Sequence, residues 1–238
     1  MKLKTISQKL ATACDGLKFK APITHVYNPL IYAKSLHSQY LDHYEGKNVP
    51  AILLGMNPGP WGMAQTGVPF GEINAVKEFI GIDGSVKQPP IIHPKRKIEG
   101  LSCQRSEVSG NRLWGWAKHR FDNFDNFKKH YFVYNYCPLV FMEQSGKNFT
   151  PDKLPKATRE KLFQICDESL KEFISVLNPD WIIGIGGFAD TRAKKALKDS
   201  TIKFGKILHP SPASPAANRG WQAHIEKQLK ELKLPFKQ

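Results

Sequence analysis

The chain has 238 residues, 41% of them hydrophobic, which is enough for one sizeable core, and a single domain over residues 1–238 is expected. Its 35 Lys and Arg against 21 Asp and Glu give a formal charge of +14, a balance that points to a polyanionic partner, nucleic acid first. No apolar run approaches the ~18 residues of a membrane span, the N-terminal MKLKTISQKLATACDG lacks the apolar core of a secretory signal, and four dispersed cysteines (Cys14, Cys103, Cys137, Cys166) without a C-x-x-C pair argue against zinc or a disulfide framework. A soluble, monomeric intracellular protein with no membrane contact is expected, in the cytoplasm of a bacterium or the nucleus of a eukaryote.

Residues 5–18 have a weakly amphipathic helical pattern, and residues 30–44 a better one, with Leu36, Tyr40 and Tyr44 four residues apart. Residues 49–54 (VPAILL) are short, apolar and closed by Gly55, the pattern of a buried strand in a parallel sheet. The loop that follows, residues 55–72 (GMNPGPWGMAQTGVPFGE), carries five glycines and three prolines. These fix backbone angles that other residues avoid and let main-chain amides approach a ligand at the carboxyl edge of the sheet. Asn57, Gln65 and Phe70 stand among them.

Residues 72–80 then read as a short helix, and residues 81–105, rich in Gly and Pro, as a surface loop whose Lys95-Arg96-Lys97 is a solvated charge cluster. Ser109 can cap a helix bearing Leu113, Trp114 and Ala117, and a strand over 131–134 ends in Asn135. A long helix at about 155–177 places Leu162, Cys166, Leu170, Phe173 and Leu177 on one face. A strand at 181–185, a helix to about Leu197, a strand at 202–208 and a last helix with Trp221, Ile225, Leu229 and Leu232 complete the chain. Four strands alternating with helices predict an α/β fold, a three-layer α/β/α sandwich around a central, mainly parallel four-stranded sheet.

Two signals compete for the site. Residues 184–189 (GIGGFA) fit G-x-G-x-x-A between a strand and a helix, but the next strand ends in His209, not in the acid that a dinucleotide ribose requires. Gly186 and Gly187 therefore read as close packing at a helix N-terminus that is free to bind one phosphate. The other signal is residues 208–221 (LHPSPASPAANRGW), a second Pro-rich loop after a strand, which would face the first loop across the same sheet edge. A lone histidine is most often structural, but His209 stands at a strand end in that loop.

The two loops together resemble the active-site motifs of the uracil-DNA glycosylase superfamily, in particular its single-strand-selective monofunctional group. The first motif matches at nearly every position, with Trp61 where the family usually carries another aromatic; the second keeps HPSP and the later Asn-x-Gly-Trp. Weaker similarity runs through SEVSGNRLWGW (106–116), NYCPLVFM (135–142) and SGKNFTP (145–151), so the resemblance extends over about residues 20–230. Other branches carry an iron-sulfur cluster on four cysteines that include a close N-terminal pair. This chain has no such pair, and no metal or cofactor is expected.

The resemblance implies a DNA glycosylase that hydrolyses the N-glycosidic bond of uracil in single- or double-stranded DNA and starts base-excision repair. It implies that Asn57 holds the attacking water and His209 stabilises the departing base, while Met56, Gly59, Phe70 and Asn135 bind the base. Gly59 stands where strict uracil enzymes carry a Tyr, so substituents at C5, as in 5-hydroxymethyluracil, should be admitted. Pro210, Ser211, Pro212 and Ala213 would enter the duplex. Arg219, with Lys194, Lys195 and the 95–97 cluster, would contact phosphates together with Gly186 and Gly187. Ala213 departs from the family, whose animal members have a basic residue there, and a smaller wedge favours mismatched or single-stranded uracil. No Lys lies in either motif, so base removal without strand cleavage is expected. A glycosylase for deaminated purines and a non-catalytic binder of damaged DNA remain the alternatives.

Overall fold

The computed structural model describes residues 2–234. Helix α1 (Leu3–Asp15) leads to strand β1 (Ile23–Tyr27), and the short helices α2 (Pro29–Tyr32) and α3 (Lys34–Asp42) lead to β2 (Ala51–Gly55). Beyond β2 come the one-turn helix α4 (Met63–Thr66), a π-helical stretch at Ala75–Ile80, a 3-10 turn at Gly100–Ser102, α5 (Val108–Phe121) and α6 (Phe124–Phe127). Strands β3 (Tyr131–Asn135), β4 (Val140–Glu143) and β5 (Asn148–Phe149) follow, then a 3-10 turn at Pro151–Lys153. The chain closes with α7 (Lys156–Leu177), β6 (Trp181–Ile185), α8 (Gly187–Ala196), β7 (Lys203–Ile207), α9 (Pro215–Asn218) and α10 (Trp221–Glu231).

The central sheet has the order β3-β2-β6-β7 and is parallel throughout. Every residue of β2 and of β3 is buried, which is why both strands read as continuous apolar runs and not as alternating ones. The chain leaves β2 for β3 on one side and later returns to β6 on the other, so the switch point, where α/β sheets open a ligand crevice, lies at the carboxyl end of β2. Gly55 and Asn135 are register partners there, so loop 55–72 and Asn135 emerge together.

Several elements differ from the sequence expectation. A second, antiparallel sheet of order β1-β4-β5 stands beside the first. Its strands are short, and β1 pairs with β4 over a long sequence separation that no local pattern records. The helix expected over 30–44 is two helices, broken at Ala33, whose φ of −103° is not helical.

Residues 81–105 are not simply a surface loop: Ile82, Pro89, His93, Ile98 and Cys103 are buried. Gln65 fixes this segment to the first loop, with its Oε1 accepting from the amides of Glu99 and Gly100 and its Nε2 donating to the Lys97 carbonyl. Gln65 is fully buried and structural. All four cysteines are buried free thiols, and the Cys166 thiol sits against those of Cys14 and Cys137 despite their spacing in sequence. Among the described residues no helix is long and apolar enough to cross a membrane.

Candidate active site

Phe70 is the most constrained residue of the first loop. Its φ of 54° lies in the left-handed region, costly for an aromatic side chain and tolerated where surroundings over-determine it. Two donors hold its carbonyl, the Glu72 amide at 2.7 Å and the Trp114 indole Nε1 at 3.1 Å. Gly110 on α5 lets that carbonyl approach, since a Cβ there would come within 2.0 Å of it. The turn drives the ring over the end of β2: a Cβ on Gly55 would lie 2.6 Å from the Phe70 ring and 2.3 Å from Asn135 Oδ1. Gly55 is thus the floor on which the ring and the carboxamide meet.

Asn135 donates from Nδ2 to the Met63 sulfur at 3.3 Å, while its buried Oδ1 has no partner. A buried acceptor without a donor costs stability and is uncommon outside functional sites. Asn57 donates from Nδ2 to the Leu139 carbonyl at 3.1 Å. A carbonyl there accepts only a donor, so the network assigns the amide orientation and leaves Oδ1 free to accept from a water. The carbonyl of Met56, between them, accepts from the Cys137 amide at 2.9 Å.

The second loop begins at the end of β7. Gly186, with φ 87°, admits the strand end: a Cβ there would lie 3.2 Å from His209 Cβ. Gly187 meets nothing within 4 Å and faces open space at the start of α8. The Ser211 amide donates to His209 Nδ1 at 3.0 Å, and burial lowers the imidazole pKa below its ordinary 6.5. The ring is therefore neutral near pH 7 with its proton on Nε2. Its centroid lies 6.2 Å from that of Phe70, so one small planar ligand can reach both.

Arg112 of α5 clamps the loop, donating to the Pro210 carbonyl at 3.0 Å, the Ser211 carbonyl at 3.4 Å and Asn218 Oδ1 at 2.8 Å. Asn218 in turn donates to the Pro212 carbonyl at 2.8 Å, and the Ser214 side chain caps α9. Pro210 is buried beneath the loop, so the exposed tip is Pro212 and Ala213.

These groups line one cavity of about 260 Å³: Met56, Asn57, Gly59, Phe70, Asn135, His209 and Ser211, joined by Glu107, Ser109, Asn148 and Thr150. Ser109 lies in the first turn of α5 and Asn148 and Thr150 come from the β4–β5 hairpin. Their segments, SEVSGNRLWGW and SGKNFTP, stand out in the sequence, but no motif there assigns them a role. Glu107 lies half-buried beside them, and burial, with the nearby Glu72, raises its carboxyl pKa to about 7.

A larger groove of about 560 Å³ between α1, β1 and residues 87–91 shares no lining residue with this cavity and lacks the convergence of polar groups at strand ends.

The basic residues are dispersed. Arg219 is exposed, Lys195 is exposed on α8, and Lys194 is paired with Asp190. Arg96 and Arg105 both lie over the Trp61 ring, at 5.0 and 4.9 Å from its centroid. Among the described residues no group of three or more His, Cys, Asp or Glu stands where it could hold a metal ion.

A family model, uracil DNA glycosylase superfamily, matches residues 42–233. The chain is 46% identical over 228 residues to the single-strand selective monofunctional uracil-DNA glycosylase of Rattus norvegicus, covering 95% of this chain and 82% of that protein. Its counterpart in Bos taurus is 43% identical over 220 residues, covering 92% and 81%. Among solved structures, wild-type SMUG2 of Pedobacter heparinus superposes with a TM-score of 0.68 at 18% identity, over 96% of this chain and 97% of that one, a likeness of fold.

Proposed function

The chain belongs to the uracil DNA glycosylase superfamily, and on that premise we propose that the cavity between its two loops takes a uracil extruded from DNA and supplies the groups that cut its bond to the sugar. The protein is a monofunctional uracil-DNA glycosylase: it hydrolyses the N-glycosidic bond and leaves the strand intact, the step that starts base-excision repair.

Breaking this bond puts negative charge on the leaving base and positive charge on the sugar, and the base must first leave the stack. Phe70 stacks on the extruded ring. Asn135 accepts the N3 proton on its unpartnered Oδ1 and, turning Nδ2 from the Met63 sulfur, donates to O4. Cytosine has an amino group at C4 and no proton on N3, so the same carboxamide rejects it. His209, neutral and with its proton on Nε2, donates to O2, and the bond strengthens as charge develops there. Asn57 holds water through Oδ1; an amide orients this water without deprotonating it, which suffices against a strongly electrophilic sugar. Met56 borders the base, and Gly59 leaves room beside C5.

The exposed tip at Pro212 and Ala213 fills the gap left by the base, while Gly187, Arg219, Lys195 and Lys97 contact phosphates. A tip ending in Ala213 fills little space, and single-stranded or mismatched uracil is the preferred substrate. The convergence of a partnerless carboxamide acceptor, a neutral histidine and an anchored asparagine around one strained aromatic ring carries this reading.

The test is a glycosylase assay, in chelator, on labelled single-stranded and duplex oligonucleotides bearing one uracil, followed by alkali. Alkali-dependent cleavage that is lost in His209→Ala is expected. Binding without base release, or release of xanthine and hypoxanthine but not of uracil, would overturn the assignment.

A further inference from the structure

One ionisable group in the cavity has no part in the glycosidic chemistry. Glu107 directly precedes α5 and turns its carboxyl against the first loop. A Cβ on Gly62 would come within 1.9 Å of its Oε2, and one on Gly59 within 3.3 Å of its Oε1, so only a glycine at 62 leaves room for it. The wall beside Gly59 is therefore a carboxyl. Neither of its oxygens has a hydrogen-bonding partner among the described residues. The charge that acts on it is that of Glu72, which has the same sign and does not neutralise it, and His209, in the same cavity, is uncharged. Its half-buried oxygens open on the cavity and not on a protein donor, so whatever enters the cavity is what they can bond.

The base pose fixes what Glu107 would meet, and the inference rests on the uracil reading of this cavity. With N3 and O4 on Asn135 and O2 on His209, the ring edge left over is C5–C6, and in this proposed pose it is left to the remaining lining, which includes Gly59 and Glu107. We propose that Glu107 is a specificity-determining residue that reads the substituent at C5. A hydroxyl carried on C5 donates to the carboxyl and gives it the partner that it lacks. A methyl covers the carboxyl without satisfying it and is rejected by the cost of burying an unpaired polar group. Hydrogen at C5 leaves space for a water on the carboxyl and is accepted.

The experiment compares kcat/KM on single-stranded oligonucleotides bearing uracil, 5-hydroxymethyluracil or thymine for the unaltered protein, Glu107→Gln and Glu107→Leu. The Leu variant should lower the 5-hydroxymethyluracil-to-uracil ratio about 10-fold and raise the thymine-to-uracil ratio. The Gln variant, which keeps an acceptor, should hold the first ratio within about 2-fold. Ratios unchanged in Glu107→Leu, with all rates reduced together, would mean that Glu107 only supports the loop, and would overturn the proposal.

Inhibition of the unaltered protein by the free bases gives the same ranking without any substitution. Thymine binding as tightly as 5-hydroxymethyluracil would also overturn the proposal. An unaltered protein that releases no uracil fails the glycosylase reading itself, a separate outcome.

Discussion

The backbone amide of Ser211 donates to Nδ1 of His209 across 3.0 Å, which places the ring proton on Nε2, the nitrogen left to meet a base. Two residues of one loop thereby set a tautomer, and burial keeps the ring neutral by lowering its pKa below 6.5. A histidine with a lowered pKa retains its neutral form to lower pH, so kcat for uracil should stay level through neutrality. It should fall on the acid side only below 6.5, as the ring gains its second proton. Glu107 also titrates near this range, and the limb should persist in Glu107→Gln. Ser211→Pro, which deletes the donor, should lower kcat about 10-fold or more. A steady-state pH profile checks both, and an acid limb above 6.5 would contradict a neutral imidazole.

Asn57 is anchored by its donor end. Asn57→Ala should lose about 10²-fold or more in turnover. Asn57→Asp is the sharper case. A carboxylate could act as a base, but it would set an oxygen against the Leu139 carbonyl that now accepts from Nδ2 at 3.1 Å. The repulsion should turn the side chain away from its present position, so Asn57→Asp should be slower than the unaltered protein despite its added basicity. Single-turnover rates decide it, and a faster Asp variant would show that the anchor is dispensable.

The strain at Phe70 is held from α5. Trp114→Phe removes the indole donor and leaves the Phe70 carbonyl with the Glu72 amide alone. Stability should fall by about 0.5–1.5 kcal/mol for the lost hydrogen bond, with a smaller loss from the packing of the truncated ring. KM for uracil-containing DNA should rise as the stacking ring loosens. Urea unfolding and steady-state kinetics on the same preparation test the two effects together.

Glu107 makes the fold depend on pH. Its folded pKa of about 7 lies above the ordinary 4.5, so the folded state binds the extra proton between those values. The associated stability is fully present below 4.5 and is lost as pH rises through about 7. Glu107→Gln should therefore be the more stable protein at mildly alkaline pH, by on the order of 1–2 kcal/mol once partial solvent access is allowed for. The difference should disappear near pH 4, as thermal or urea unfolding at the two pH values would show.

Residues 49–54 and 131–134 show their buried strands openly, because strands covered on both faces must be apolar throughout. Loops 55–72 and 208–221 were equally legible, since glycines and prolines mark the backbone directly and the strands before them place both at one sheet edge. Asn57, Phe70 and His209 line one cavity, as their position in those loops suggests, and Asn135 joins them from the carboxyl end of β3.

The second sheet was hidden because β1 and β4 are joined only by hydrogen bonds between distant residues. Tertiary packing alone decided that Pro210 lies under the loop while Arg112 clamps it, and that Gly186 makes room for His209. Glu107 is the plainest case: in sequence it is one acid among 21, and it becomes a partnerless carboxyl only when α5 meets Gly59 and Gly62. Composition and local pattern determine which segments are buried and where the chain turns, because those depend on each residue's own chemistry. Desolvation, hydrogen-bond partnership and the tautomer of His209 depend on what surrounds a group, and only the folded chain supplies those surroundings.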